Sequence, residues 1–268
     1  MPIDPRRSRL VAAALAPVLL VQGRRVRRVI PRLADAAFPW HGSLDGPVDP
    51  AAAPPVRILV LGDSTAAGVG ADTQDNALPG NIARAVRDHW GAGSTWNAFG
   101  ANGATARDIV EQYLAAASAA SYDFIFLSIG ANDALTLRSR RAFARDVRTI
   151  LRRLRVVSPS ALILMSSLPA FFRFEALPQP LRWALYLHST SLENAARAVV
   201  AGEPGVLMSP PPPPYTPGFF ASDRFHPSAS GYRDWVKFAL EDAGLVVPAA
   251  TATATATTPA ATAEGLAS

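Results

Sequence analysis

The sequence predicts an α/β fold, a three-layer αβα sandwich around a five-stranded parallel sheet, occupying residues 56–247. Two observations predict it. From about 56 to 246, short apolar runs alternate with stretches of helical periodicity, the pattern of repeated strand–helix units. Each short run is close to continuously hydrophobic, as a parallel sheet covered on both faces requires. Right-handed helical crossovers between such strands place helices on both sides of the sheet.

Taken in order, the strands are expected at Val56 to Leu61, Thr95 to Phe99, Phe124 to Ile129, Leu162 to Ser166 and, more weakly, Gly205 to Met208. Helical patterns separate them at about 79–90, 105–118, 140–156, 180–201 and 229–243. In the third of these, Phe143, Val147, Ile150, Leu151 and Leu154 form one apolar stripe, and the arginines fall mostly on the remaining surface, read as a solvated face.

The flanks read differently. Residues 1–38 are a basic and apolar N-terminal segment. Within it LVAAALAPVLLV (Leu10 to Val21) is flanked by Arg6, Arg7 and Arg9 before and by Arg24, Arg25, Arg27 and Arg28 after. Such a run makes about 18 Å of helix against a hydrocarbon core of roughly 30 Å, which disfavours a simple transmembrane span. No Ala-x-Ala-like site follows it, so signal cleavage is discounted. A helix at a membrane interface and a helix docked on the domain remain as readings. Cytoplasmic or peripheral-membrane localisation is expected over secretion. Five prolines within residues 39–55 read as an exposed linker, and the Ala/Thr tail at 248–268 as disordered.

Composition narrows the chemistry. The absence of Cys excludes disulfides, thiolate metal sites and cysteine nucleophiles. No HExxH and no Asp/Glu/His cluster accompanies His41, His89 or His188, so no metal is expected. There is no P-loop, and GVGADT at 68–73 breaks the dinucleotide pattern, so nucleotide binding is not expected. The formal charge of +5 conceals two arginine-rich segments, 1–34 and 138–155, each net +7, which leaves −9 for the remainder. An anionic membrane surface is the partner this suggests. Aromatics are not interleaved with the arginines, and nucleic acid is not expected.

Chemistry-bearing residues fall at the carboxyl ends of the expected strands, where ligands bind in such sheets. VLGDSTAAGVG follows the first strand, so Gly62 allows a sharp turn and Ser64 is presented at the rim. NAFGANGATARDI follows the second and puts Gly100 and Gly103 ahead of a helix N-terminus, whose first N–H groups lack intrahelical partners. SIGANDAL follows the third, with Asn132 and Asp133. SDRFHPSASGY follows the fifth, with Asp223 and His226 spaced so that the carboxylate reaches one imidazole nitrogen while the other points away. Each block alone is commonly a turn, a helix cap or surface. Together they supply a nucleophile, oxyanion donors and an oriented base.

Gly62-Asp63-Ser64, Gly103, Gly130-Ala131-Asn132-Asp133 and Asp223-Arg224-Phe225-His226-Pro227 occur in the order of the GDSL or SGNH hydrolases, which this sequence resembles over roughly residues 56–245. Thr65 stands where Leu often follows Gly-Asp-Ser. The resemblance implies a flavodoxin-like fold and cofactor-free serine esterase, lipase, thioesterase or carbohydrate-deacetylase activity. The expected roles are Ser64 as nucleophile, His226 as general base and Asp223 as its orienting partner, with an oxyanion hole from the N–H groups of Ser64 and Gly103 and the amide of Asn132. Gly103 is preferred to Gly100 because it leads directly into the helix. Phe171, Phe172 and Phe174 are candidates for an acyl-binding wall, with Trp183 close in sequence. The substrate expected is a small-molecule or lipid ester or thioester. A carbohydrate O-acetylesterase or acyltransferase would use the same triad, and a non-catalytic membrane-associated binding module is the alternative of another class.

Overall fold

The computed structural model describes residues 4–46 and 54–245. Its sheet contains β1 (His41–Leu44), β2 (Val56–Gly62), β3 (Ser94–Gly100), β4 (Phe124–Ser128), β5 (Leu162–Met165) and β6 (Val206–Met208). They lie side by side in the order β1-β3-β2-β4-β5-β6. The five expected strands are all present and mutually parallel, and no bound moves by more than one residue.

The sheet nevertheless has six strands, not five, and it is not wholly parallel. β1 pairs antiparallel with the outer edge of β3. Its residues belong to the span read as a linker, and the reason it escaped is physical. His-Gly-Ser-Leu shows no apolar alternation, because an edge strand is held by backbone bonds and by one special contact. Gly42 lies against the indole of Trp96, where a Cβ would come within 2.2 Å of a ring carbon. Residues 47–53 of that span, and the tail at 248–268, lie outside the described residues.

Side chains of the central strands alternate between two cores. Ile58, Val60, Phe126 and Leu164 face one layer, covered by α3 (Leu78–Trp90) and α9 (Ala229–Asp242). Leu59, Leu61, Ile125, Leu127 and Ile163 face the other, covered by α4 (Ala106–Asp108), α5 (Leu114–Ala117), α7 (Arg140–Val157) and α8 (Leu181–Val200). This two-sided burial is what the unbroken apolarity of the strands encodes. The helix expected at 105–118 is α4 and α5 joined through a π turn at Ile109–Tyr113. A short helix that the periodicity did not reveal, α6 (Ala131–Leu135), follows β4 directly.

The N-terminal segment forms α1 (Ser8–Ala14) and α2 (Ala16–Val29), with a break at Leu15, and it docks on α8. Ser8 Oγ lies 2.9 Å from His188 Nδ1, while the Gln22 side chain donates to the Gln179 carbonyl at 2.6 Å and accepts from the Leu181 N–H at 3.0 Å. No helix among the described residues is long and apolar enough to cross a membrane.

From β2 the chain crosses to β3 on one side and then to β4 on the other. The loops after β2 and β4 therefore diverge at this switch point and open a crevice at the carboxyl ends of the strands.

Candidate active site

Ser64 sits two residues beyond β2, in a turn pinned to the neighbouring strand by the Asp63 N–H, which donates to the Ser128 carbonyl at 3.0 Å. Gly62 is required there because a Cβ would come within 2.1 Å of that same carbonyl oxygen. The turn closes on itself as the N–H groups of Ala67 and Val69 donate to the carbonyls of Asp63 and Ser64. The buried Tyr232 hydroxyl, on α9, donates to the Val69 carbonyl at 2.7 Å and ties the turn to that helix.

Far along the chain, Asp223 and His226 approach Ser64 from the loop before α9. His226 Nε2 lies 3.0 Å from Ser64 Oγ, and His226 Nδ1 lies 2.6 Å from Asp223 Oδ2. The second carboxylate oxygen of Asp223 accepts from the backbone N–H groups of Phe225 and His226 at 2.9 and 3.0 Å. Burial alone would push the Asp223 carboxyl up, but the imidazole and these N–H donors outweigh it and hold the group below the usual carboxylate value. An ionised Asp223 can only accept, so Nδ1 donates to it, and in the neutral ring the Nε2 lone pair then faces the serine hydroxyl. Arg224, between them, takes a left-handed backbone with φ of 57°, a conformation uncommon for a residue with a side chain and found where the surroundings impose it. The loop rests on two glycines without room for a side chain: a Cβ on Gly70 would meet the Pro227 carbonyl oxygen at 2.2 Å, and one on Gly231 the Phe219 carbonyl oxygen at 2.0 Å.

Asn132 lies on α6, directly after β4, and its amide donates to the Ala104 carbonyl at 3.0 Å. Asp133, fully buried beside it, accepts from the Ala106 N–H at 2.9 Å and pairs with Arg138 at 3.3 Å. These bonds lock the Gly103 loop and the start of α4 against α6. Gly103 has φ of 87° and open space around its Cβ position, whereas Gly100 is the last residue of β3, with a Cβ position 2.2 Å from the Gly62 carbonyl oxygen. Gly100 is thus explained by close strand packing, and Gly103 by the loop's conformation.

Two further buried carboxyls, Asp63 next to the serine and Asp133 next to Asn132, stand outside the His226 chain of bonds. Burial pushes Asp63 up to about 6, against the Thr65 N–H and hydroxyl that stabilise its charge. Burial likewise lifts Asp133 to about 6, against the Ala106 N–H and Arg138. Thr65, at the position often held by Leu, donates its hydroxyl to Asp63 at 3.0 Å and shares a hydrogen bond of 2.7 Å with Ser128.

Ser64 and His226 open into a cavity of about 180 Å³ whose walls include Phe174, Tyr215, Phe219, Phe220, Phe225 and Trp235. Of the three aromatics proposed for an acyl wall, only Phe174 lines it. Phe171 is fully buried in the core, and Phe172 is 46% exposed and packs edge-on against Tyr186 outside the cavity. The cause is the 3-10 turn at Phe171–Arg173, which sends successive side chains in different directions. The remaining wall comes from residues that sequence reasoning passed over, although Tyr215, Phe219 and Phe220 stand just ahead of Asp223 and crowd that stretch with aromatics. Among the described residues no group of three or more His, Cys, Asp or Glu is placed to hold a metal. His188 is instead a buried structural residue, bonded to Ser8 and to the Arg138 carbonyl.

The chain is similar to known proteins in sequence and in fold. Residues 60–233 match the model of the GDSL-like lipase/acylhydrolase family. A GDSL-like esterase of Mycobacterium tuberculosis is 30% identical over 198 residues, which is 70% of this chain and 62% of that protein, so the chain spans less than two thirds of the relative's length. Among solved structures, a lipase from a goat rumen metagenome superposes with a TM-score of 0.55 at 18% identity, over 72% of this chain and 99% of the other. Phospholipase A1 from Streptomyces albidoflavus does so with a TM-score of 0.50 at 18% identity, over 70% and 99%. These two likenesses show the fold, with the flavodoxin-like strand order.

Proposed function

The chain belongs to the GDSL-like lipase/acylhydrolase family, and from that premise we propose that it is a serine-dependent hydrolase of carboxylic esters or thioesters with an apolar acyl group. The observation that carries this reading is the unbroken line of hydrogen bonds from Asp223 through His226 to Ser64, at 2.6 and 3.0 Å, opening into an aromatic cavity.

In this reading Ser64 Oγ attacks the carbonyl carbon as His226 Nε2 removes its proton. The tetrahedral oxyanion is met by the Ser64 and Gly103 N–H groups and by the Asn132 amide, which has a second N–H beyond the one bonded to Ala104. His226 then hands its proton to the departing alkoxide or thiolate, leaving an acyl-Ser64 ester. Water, deprotonated by the same imidazole, releases the acid and restores the serine. Asp223 fixes the ring and stabilises the imidazolium throughout. Apolar walls favour an acyl chain over a sugar in the cavity.

Turnover of p-nitrophenyl esters tests the reading. Ser64→Ala is expected to lower kcat by about 10⁴–10⁶-fold with the melting temperature retained. A folded Ser64→Ala protein with wild-type turnover would refute it.

A further inference from the structure

The fold gathers the two arginine-rich segments around one helix. His188, midway along α8, is bonded through Nδ1 to Ser8 at the start of α1 and through Nε2 to the carbonyl of Arg138, just ahead of α7. Arg140, the first residue of α7, donates to the Ser191 carbonyl on α8 at 3.1 Å. α1 and the start of α7, one from each segment of net charge +7, therefore flank the same stretch of α8.

Along α1 and α2 the inward and outward faces differ in kind. Leu19 and Val26 pack on the core, and Gln22 grips the start of α8. Outward, the first part is apolar, with Leu10 71%, Val18 47%, Leu20 60% and Val21 67% exposed. In the next turns the outward positions are Arg24, Arg25, Arg27 and Arg28, all exposed. None of these four, nor Arg6, Arg7 or Arg9, forms an ion pair among the described residues. Near its start, where Gln22 grips it at Leu181, α8 exposes Trp183 and Tyr186, three residues apart, and Phe172 packs against Tyr186 with ring centroids 4.8 Å apart. Arg173, next in the chain, donates to the carbonyls of Pro212 and Pro213, which line the cavity, so the aromatic ridge abuts the cavity's rim.

We propose that the outer face of α1 and α2, together with the Trp183–Tyr186 ridge near the start of α8, docks on an anionic lipid bilayer. Exposed leucine and valine have no counterpart on a phosphodiester backbone, but they enter an acyl layer. Tryptophan and tyrosine suit the headgroup boundary, and clustered arginines are drawn to anionic lipid. The proposal is independent of the chemistry at Ser64. Where both hold, docking sets the rim of the cavity beside the bilayer.

The test is co-sedimentation of the full chain with phosphatidylcholine vesicles, with and without phosphatidylglycerol. Wild type is expected to bind the anionic vesicles, to bind the neutral ones roughly tenfold or more weakly, and to be released by raised salt. Replacing Arg24, Arg25, Arg27 and Arg28 with Gln, or Val18, Leu20 and Val21 with Ser, should weaken anionic binding roughly tenfold or more, while the melting temperature and the hydrolysis of a soluble short-chain ester stay unchanged. Folded Ser64→Ala should bind like wild type, which separates this proposal from the hydrolase reading. The proposal is overturned by wild type that ignores anionic vesicles or binds both kinds equally, by salt-insensitive binding, or by folded surface variants that bind as wild type does. Binding to duplex DNA in place of vesicles, or a concentration-dependent dimer that the same variants dissolve while vesicles are ignored, overturns it equally.

Discussion

Asn132 uses one amide N–H on the Ala104 carbonyl, 3.0 Å away, and this bond is what orients the side chain for a second acceptor. Removing a single oxyanion donor typically costs on the order of 10²–10³ in kcat, because the charge develops in a site arranged in advance to receive it. Asn132→Ala should therefore lose about that much, with KM for a short ester nearly unchanged, and steady-state kinetics on the purified variant check it. Residues of this kind were legible in the sequence since each stands next to a strand end. Thr65 was legible only as a departure from the usual Leu. Its part in the Asp63–Ser128 hydrogen bonds depends on β2 and β4 lying side by side, which no local pattern announces.

α1 is held to α8 through a buried imidazole, and that makes its docking sensitive to acid. Burial lowers His188 from 6.5 to about 4, against the Arg138 carbonyl, which favours the charged form. A group whose folded value is depressed binds its proton more readily when unfolded. The stabilisation linked to neutral His188 is thus complete above about pH 6.5 and lost as the pH falls toward 4. Asp63 and Asp133 act in the opposite sense: raised from 3.8 to about 6, they favour the fold below the ordinary carboxylate value and weaken it as the pH rises through 6. Because these effects oppose one another, the contribution of His188 is best seen as a difference. The stability of wild type minus that of His188→Gln should rise between pH 4 and 6.5, by up to about 3 kcal/mol, and be flat above. Denaturant titrations across that range measure it, and a flat difference would contradict the account. Among the elements, the strands and long helices could be read because burial on both faces or on one face writes a period into the chain. β1 and α6 could not, since each is fixed by tertiary contacts, an edge pairing and the Asp133 bonds; the π turn lies inside a helical stretch whose local Thr105–Asp108 capping box marks only its start.

Over the whole molecule, in the hydrolase reading, the crevice at the switch point, rather than any single motif, decides what kind of acyl group fits. Its aromatic walls come from three separate stretches, around Phe174, Tyr215 to Phe225 and Trp235. Sequence proximity to one strand end pointed to Phe171 and Phe172, whereas three-dimensional convergence supplied the others. A chain-length series should show kcat/KM rising from acetyl to longer acyl esters by about fourfold per buried methylene, equivalent to about 0.8 kcal/mol, until the cavity is filled. An acetyl ester turned over fastest would favour a deacetylase. The net charge of +5 is similarly a property of placement: two basic segments meet around α8, and the remainder, which holds the loops of Ser64 and His226, sums to −9.

The central claim is that Ser64 is a nucleophile activated by His226. Reaction of the native protein with a fluorophosphonate, followed by peptide mass analysis, tests it directly. The account predicts one label per chain, on Ser64, abolished in Ser64→Ala and sharply reduced in His226→Ala. Folded protein that takes up no label, or a label that persists undiminished in Ser64→Ala, would contradict it.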